Sequence, residues 1–159
     1  MLRLSKKSDY ALISMKHLAT RPDGGASSSA REIAEAYDIP LELLAKVLQR
    51  LVRARLLVSV QGTRGGYRLG RPAANISVAD VIQAVDGPVT VTACSEQDHA
   101  CDQFVKCSIR DPLWRIKTRI LDALTTVSVA EMAAESEQDA MAVAAPTVSR
   151  MVFVPPIGE

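Results

Sequence analysis

Between residues 29 and 69 the hydrophobic period switches from helical to alternating, and this switch constrains the fold more than any other feature of the chain. Ser29-Ala30-Arg31-Glu32 has the form of a capping box: the Ser hydroxyl accepts from the third helical amide while the Glu reaches back to the cap amide. It opens a short helix expected to carry Ile33, Ala34 and Tyr37 inward. Asp38-Ile39-Pro40 is a tight connection into a longer helix, about 40–54, with Pro40 in its first turn, where a missing amide proton costs nothing. Leu43, Leu44, Val47, Leu48 and Leu51 form one apolar stripe there, and Glu42, Lys46, Gln49, Arg50 and Arg53 lie on the other side. Two short helices so joined, the second with a polar and basic outer face, make a helix-turn-helix pattern. Leu56 to Val60 then reads as a strand and Tyr67-Arg68-Leu69 as its return, around the mobile basic tip Gln61-Gly62-Thr63-Arg64-Gly65-Gly66. A hairpin directly after a helix-turn-helix is the wing of a winged-helix domain.

The flanking segments are mostly helical. Ala11, Leu12, Met15, Leu18 and Ala19 predict a helix over 8–20, which Arg21-Pro22-Asp23-Gly24-Gly25 ends. Ser77-Val78-Ala79-Asp80 caps a short helix bearing Val78, Val81, Ile82 and Val85, and Asp86-Gly87-Pro88 ends it. Asp111-Pro112 opens a long helix, about 112–126, with Asp as cap and Pro in the first turn. Its apolar face (Leu113, Ile116, Ile120, Leu121, Leu124) exceeds what the small domain can cover, so it is expected to pack on a partner subunit. Ser128-Val129-Ala130-Glu131 is another capping box, for a short terminal helix. The expected class is mainly α with a small β wing. A winged helix-turn-helix occupies 1–72, a short helix and a three-Cys loop 73–111, a dimerisation helix and a short terminal helix 112–135, and a weakly ordered tail 136–159.

Charge divides along the same boundary. The net charge of the 159 residues is only +1, yet residues 1–72 hold 13 Lys and Arg against 6 Asp and Glu, and residues 73–159 hold 6 against 12. A basic half suits a polyanion. No uncharged apolar stretch reaches a membrane span, and the N-terminus lacks the apolar core of a signal peptide, so a cytoplasmic protein with no membrane partner is expected. Three thiols there serve as reduced groups or metal ligands more readily than as disulfides.

The cysteines are Cys94, Cys101 and Cys107, a C-x6-C-x5-C arrangement within 14 positions. Thiolates are soft ligands suited to zinc, copper(I) and iron–sulfur clusters. The short C-x2–4-C pair of structural zinc sites is absent, and wide spacing lets a loop wrap a larger object. A cluster usually takes four protein ligands, so a non-Cys ligand or an open iron site follows. His99, between two of the Cys, is one candidate. No nucleophile–base arrangement, phosphate loop or carboxylate pair suggests an enzyme.

Taken together, Leu4-Ser5-Lys6-Lys7-Ser8-Asp9-Tyr10-Ala11-Leu12, Gly62-Thr63-Arg64-Gly65-Gly66-Tyr67-Arg68-Leu69, Ile76-Ser77-Val78-Ala79-Asp80-Val81-Ile82, the three-Cys loop and Leu113-Trp114 resemble the IscR/NsrR family of dimeric winged-helix regulators that carry an iron–sulfur cluster. The branch that controls the SUF cluster-assembly operon is the most similar. The resemblance spans about residues 1–135 and leaves out the tail. It implies a homodimer seamed along the long helix, with Cys94, Cys101 and Cys107 holding a 2Fe-2S or 4Fe-4S cluster, and zinc as the lesser alternative. IscR-type members place a His three residues after the third Cys; here that position is Arg110, a permanent cation that cannot ligate. NsrR-type members use an Asp of the first helix from the other subunit, and Asp9 matches it. The competing reading of Asp9 is a carboxylate favoured by the positive end of the helix dipole.

The resemblance also implies double-stranded DNA as partner, bound at a pseudo-palindromic operator with the third helix in the major groove. The exposed early residues of that helix are Glu42, Ala45, Lys46 and Gln49; Glu accepts from cytosine, Lys donates to guanine and Gln suits adenine. Ser29 and Arg31 face phosphates. Arg64 at the wing tip suits a narrow minor groove, and Gln61 stands near a position where family members often carry Arg. The expected function is a repressor of iron–sulfur assembly genes that senses cluster status. A nitric oxide or redox sensor of the same family, and a small iron–sulfur carrier or electron-transfer protein, are the alternatives.

Overall fold

A computed structural model describes residues 3–21, 27–62, 65–90, 102 and 106–134. Among these the chain forms α1 (Lys6–Ala19), α2 (Ala30–Ala36), α3 (Leu41–Arg53), β1 (Leu57–Val60), β2 (Gly66–Leu69), a 3-10 turn (Ala73–Asn75), α4 (Val78–Asp86) and α5 (Arg110–Thr126), followed by helical residues 129–134. The mainly helical class with a two-stranded wing agrees with the expectation. The tail, the tip residues 63–64 and most of the three-Cys loop lie outside the described residues.

Local chemistry sets most of the boundaries. Ser5 caps α1 by accepting from the Ser8 amide at 3.2 Å, so the helix begins at Lys6 rather than 8; the polar start hid it from the apolar period. Both reciprocal bonds of the Ser29/Glu32 box are made, at 3.1 and 2.6 Å. Tyr37 corrects the sequence reading: it is the C-cap of α2, leaves the helical phase at φ −126°, and is 42% exposed rather than inward. Asp38 takes a left-handed φ of 51°, which turns the chain sharply enough for the Ile39 amide to reach the Ala34 carbonyl at 2.9 Å. Pro40 is the N-cap of α3, not its first helical residue, and its carbonyl accepts from Leu43 and Leu44. The long helix starts at Arg110 with Ile109 as its cap residue. Asp111 is therefore not the cap, and its carboxylate accepts from the Arg110 guanidinium at 2.8 Å.

Most buried apolar side chains among the described residues form one cluster. Leu44, Val47, Leu48 and Leu51 of α3 meet Ala11, Met15 and Leu18 of α1, Ile33 of α2, and Val81 and Val85 of α4; Leu56, Leu57, Ile76 and Val129 close it. Val129 enters because the chain after α5 pairs with the start of α4, Val78 donating to the Val127 carbonyl and Val129 to that of Ile76. The three buried serines, Ser8, Ser14 and Ser28, are all hydrogen-bonded, and among the described residues no buried polar side-chain atom lacks a partner. By contrast α5 packs on α4 yet buries none of its residues, and Trp114 and Ile116 are 55% and 46% exposed.

The wing pairs antiparallel, Leu57 opposite Leu69 and Val60 opposite Gly66. Its β2 edge is extended by one residue from outside the hairpin: Ser28 and Tyr67 exchange both backbone bonds, at 3.0 and 2.8 Å. A Cβ on Gly66 would sit 2.4 Å from the Ser28 carbonyl oxygen, so only glycine allows this approach. Gly66→Ala is expected to lower folding stability by about 1–3 kcal/mol in a denaturant titration. A loss below about 0.5 kcal/mol, the range of neutral surface changes, would mean that Ser28 does not close on the wing.

Candidate nucleic-acid interface

The burial of the α3 stripe leaves the opposite face bare. Glu42, Lys46 and Gln49 are exposed and Ala45 is half-buried, so the four residues expected to read DNA lie on one accessible face of the early and middle helix. Arg31 is exposed on α2. Ser29 sits at its cap with its oxygen already accepting from Glu32, which leaves the hydroxyl proton for an outside acceptor. Gln61 is exposed at the end of β1, and Arg64 lies outside the described residues.

A polar network behind this surface was not expected from the sequence. Arg21 Nη2 donates to Ser28 Oγ at 2.7 Å, and His17 places Nε2 3.2 Å from the same oxygen and Nδ1 3.3 Å from Tyr37 Oη. Arg21 Nη2 also lies 3.4 Å from His17 Nε2, so the guanidinium and the imidazole converge on Ser28 Oγ while the other ring nitrogen faces Tyr37. Tyr37 also meets the His17 ring edge-on at 5.6 Å. Burial holds the His17 pKa below 6.5, the neighbouring Arg21 cation lowers it further, and Glu32 opposes them. The network ties α1 to the residue that both closes the wing and precedes the α2 cap. The sequence signal was faint: a lone His in a helix and a Ser among three.

The metal-ligand candidates are divided. Cys94, Cys101 and His99 lie outside the described residues, and Cys107 is a half-buried free thiol three residues before α5. Asp9 is exposed in the first turn of α1. Among the described residues no three potential ligands converge. The two described candidates keep donor atoms that suit iron, since Cys107 is a free thiol and Asp9 is an exposed carboxylate.

Comparison with known proteins agrees with this geometry. The Rrf2 family, described as iron-dependent transcriptional regulators, matches residues 4–135. The chain is similar to the HTH-type transcriptional regulator IscR of Vibrio vulnificus, 34% identical over 137 residues, covering 86% of this chain and 80% of that one. Among solved structures, T. potens IscR superposes with a TM-score of 0.68 at 27% identity over 87% of this chain and 90% of that one. CymR, the global cysteine regulator of B. subtilis, gives 0.67 at 27% identity over 85% and 98%.

Two outcomes are expected. Lys46→Ala should cost about 1–3 kcal/mol and relax preference at one base step, whereas Arg31→Ala should weaken all duplexes alike and flatten the salt dependence, as read by anisotropy across a salt series. The reverse pattern would exchange the two roles. For His17, the unfolded imidazole binds a proton below about pH 6.5 that the folded one resists, so stability falls as the pH drops. Lowering the pH from about 7.5 to about 5.5 should lower the thermal midpoint, and His17→Gln should flatten that slope; an unchanged slope would contradict a half-buried ring that resists protonation.

Proposed function

We propose that this chain, which belongs to the Rrf2 family of transcriptional regulators, is a homodimeric winged-helix repressor that binds a pseudo-palindromic operator and senses an iron–sulfur cluster. The observation that carries the DNA part is α3: Leu44, Val47, Leu48 and Leu51 are buried in the core, Leu43 is half-buried, and Glu42, Lys46 and Gln49 stand exposed on the other side, beside a wing paired with the residue before the α2 cap. Glu42, Ala45, Lys46 and Gln49 read base edges, Ser29 and Arg31 hold phosphates, and Gln61 and Arg64 follow the minor groove. Residues 1–72 form the DNA-binding unit and α5 the dimer seam, which would cover Trp114 and Ile116. Family membership selects a regulator over an enzyme or an electron carrier.

For the sensor, Cys94, Cys101 and Cys107 hold the cluster, a 2Fe-2S or 4Fe-4S group in preference to zinc, and Asp9 of the second protomer is the fourth ligand. His99 is the weaker candidate. When bound, the cluster supplies an oxidisable, releasable group whose presence favours one arrangement of the ligand-bearing segments. Its effect on operator affinity is bounded by its difference in affinity for the two arrangements. The regulated genes are those of iron–sulfur assembly, of the SUF type, in the cytoplasm, where thiols stay reduced. A second reading follows from Asp9: a carboxylate is a labile iron ligand, which also suits detection of nitric oxide or oxidants. Release of DNA on nitric oxide titration of the loaded protein, at concentrations that leave iron-free protein on DNA, would favour that reading.

Cys101→Ala is expected to abolish bound iron and change operator affinity by about fivefold or more. Iron loss with unchanged affinity would remove the coupling between cluster and DNA.

A further inference from the structure

Two consecutive residues at the end of α4 hold the ends of two other helices. Arg50, on α3, donates from Nη1 to the Val85 carbonyl. The next residue, Asp86, accepts through Oδ2 from the Ser5 hydroxyl at 2.5 Å and the Ser8 hydroxyl at 2.6 Å. Ser5 is the N-cap of α1, and Ser8 is fully buried in its first turn. The Val85 carbonyl belongs to the last turn of α4, where intrahelical donors run out, so the guanidinium supplies a donor that the helix cannot. A carboxylate against the first turn of α1 is likewise favoured by the helix dipole. Gly87 follows with φ +87°, capping α4 through its bond to Gln83 and turning the chain away. The α4 end is thus tied to α1 on one side and to the recognition helix on the other.

We propose that Asp86 and Arg50 are positioning residues that set the recognition helix against α1 and relay to it the state of the ligand-bearing segments. The relay part rests on the sensor reading given above. Asp9, the fourth-ligand candidate, directly follows Ser8, so displacement of the α1 start reaches the Ser8–Asp86 bond first. The segment bearing the cysteines leaves α4 through Gly87 and Pro88. Either input moves Val85–Asp86, and Arg50 carries that movement to the helix bearing Glu42, Lys46 and Gln49. None of the three bonds pairs two opposite charges, so the joint should persist in salt that weakens exposed ion pairs.

The test uses the full-length dimer and a duplex that wild-type protein selects from a random pool. Iron content, duplex affinity with and without iron, and hydrogen exchange of the α3 amides are measured for wild type, Asp86→Ala, Arg50→Ala, and the milder Ser8→Ala and Arg50→Lys. In wild type the iron-loaded and iron-free forms should differ about fivefold or more in affinity. In Asp86→Ala and Arg50→Ala that ratio should fall below about twofold with iron content unchanged, and α3 amides should exchange faster. Arg50→Lys should keep part of the ratio, because an ammonium can still donate to the carbonyl. If the alanine variants misfold, a reduced ratio in Ser8→Ala supports the relay and a full ratio overturns it. A full ratio in both folded alanine variants also overturns it. Wild-type protein that binds no iron would defeat the sensor reading instead; α3 exchange then decides the joint, faster exchange in Asp86→Ala supporting it and equal exchange overturning it.

Discussion

Burial of one stripe on α3 governs the rest of the molecule. Leu44, Val47, Leu48 and Leu51 are at most 1% exposed, and complete burial of such side chains is worth about 1.5–3 kcal/mol each. Against a net stability of about 5–15 kcal/mol for a typical domain, that stripe is decisive. The same packing fixes the rotation of α3, and so decides that Glu42, Lys46 and Gln49 face outward. Core and exposed polar face are two consequences of one helical phase.

This is why the helices and hairpin of residues 29–69 were legible in the sequence. The Ser29/Glu32 and Ser77/Asp80 boxes and the paired strands of the hairpin are local patterns that appear where their chemistry predicts, and so does the stripe apart from Leu43, which is only half-buried. Starts without an apolar pattern were placed less well: α1 begins two residues early on a Ser5 cap, and α5 begins at Arg110 with no side-chain cap at all. Tyr37 shows a different limit. Its aromatic ring suggested the core, but a single residue out of helical phase sends it to the surface beside His17.

Long-range polar contacts were invisible to pattern reading. Nothing in Asp86-Gly87-Pro88 beyond a helix stop announces that Asp86 meets serines 81 and 78 residues earlier. Nor does the polar face of α3 reveal that Arg50 turns toward a carbonyl of α4 while Lys46 remains exposed. Such bonds depend on tertiary packing, since the partners become neighbours only once α1, α3 and α4 have closed around the core. They also give α4 a mechanical role that its composition does not suggest. The helix that looks like a spacer between wing and cysteines is the element on which α1, α3 and α5 all rest.

The most direct measurement is a visible absorption spectrum of protein purified without oxygen, with iron, sulfide and zinc assayed on the same sample. Charge-transfer bands with iron and sulfide are expected, and the band shape distinguishes two-iron from four-iron clusters. A colourless, iron-free protein that also refuses reconstitution would contradict cluster sensing and leave a winged-helix regulator whose thiols bind zinc or react directly.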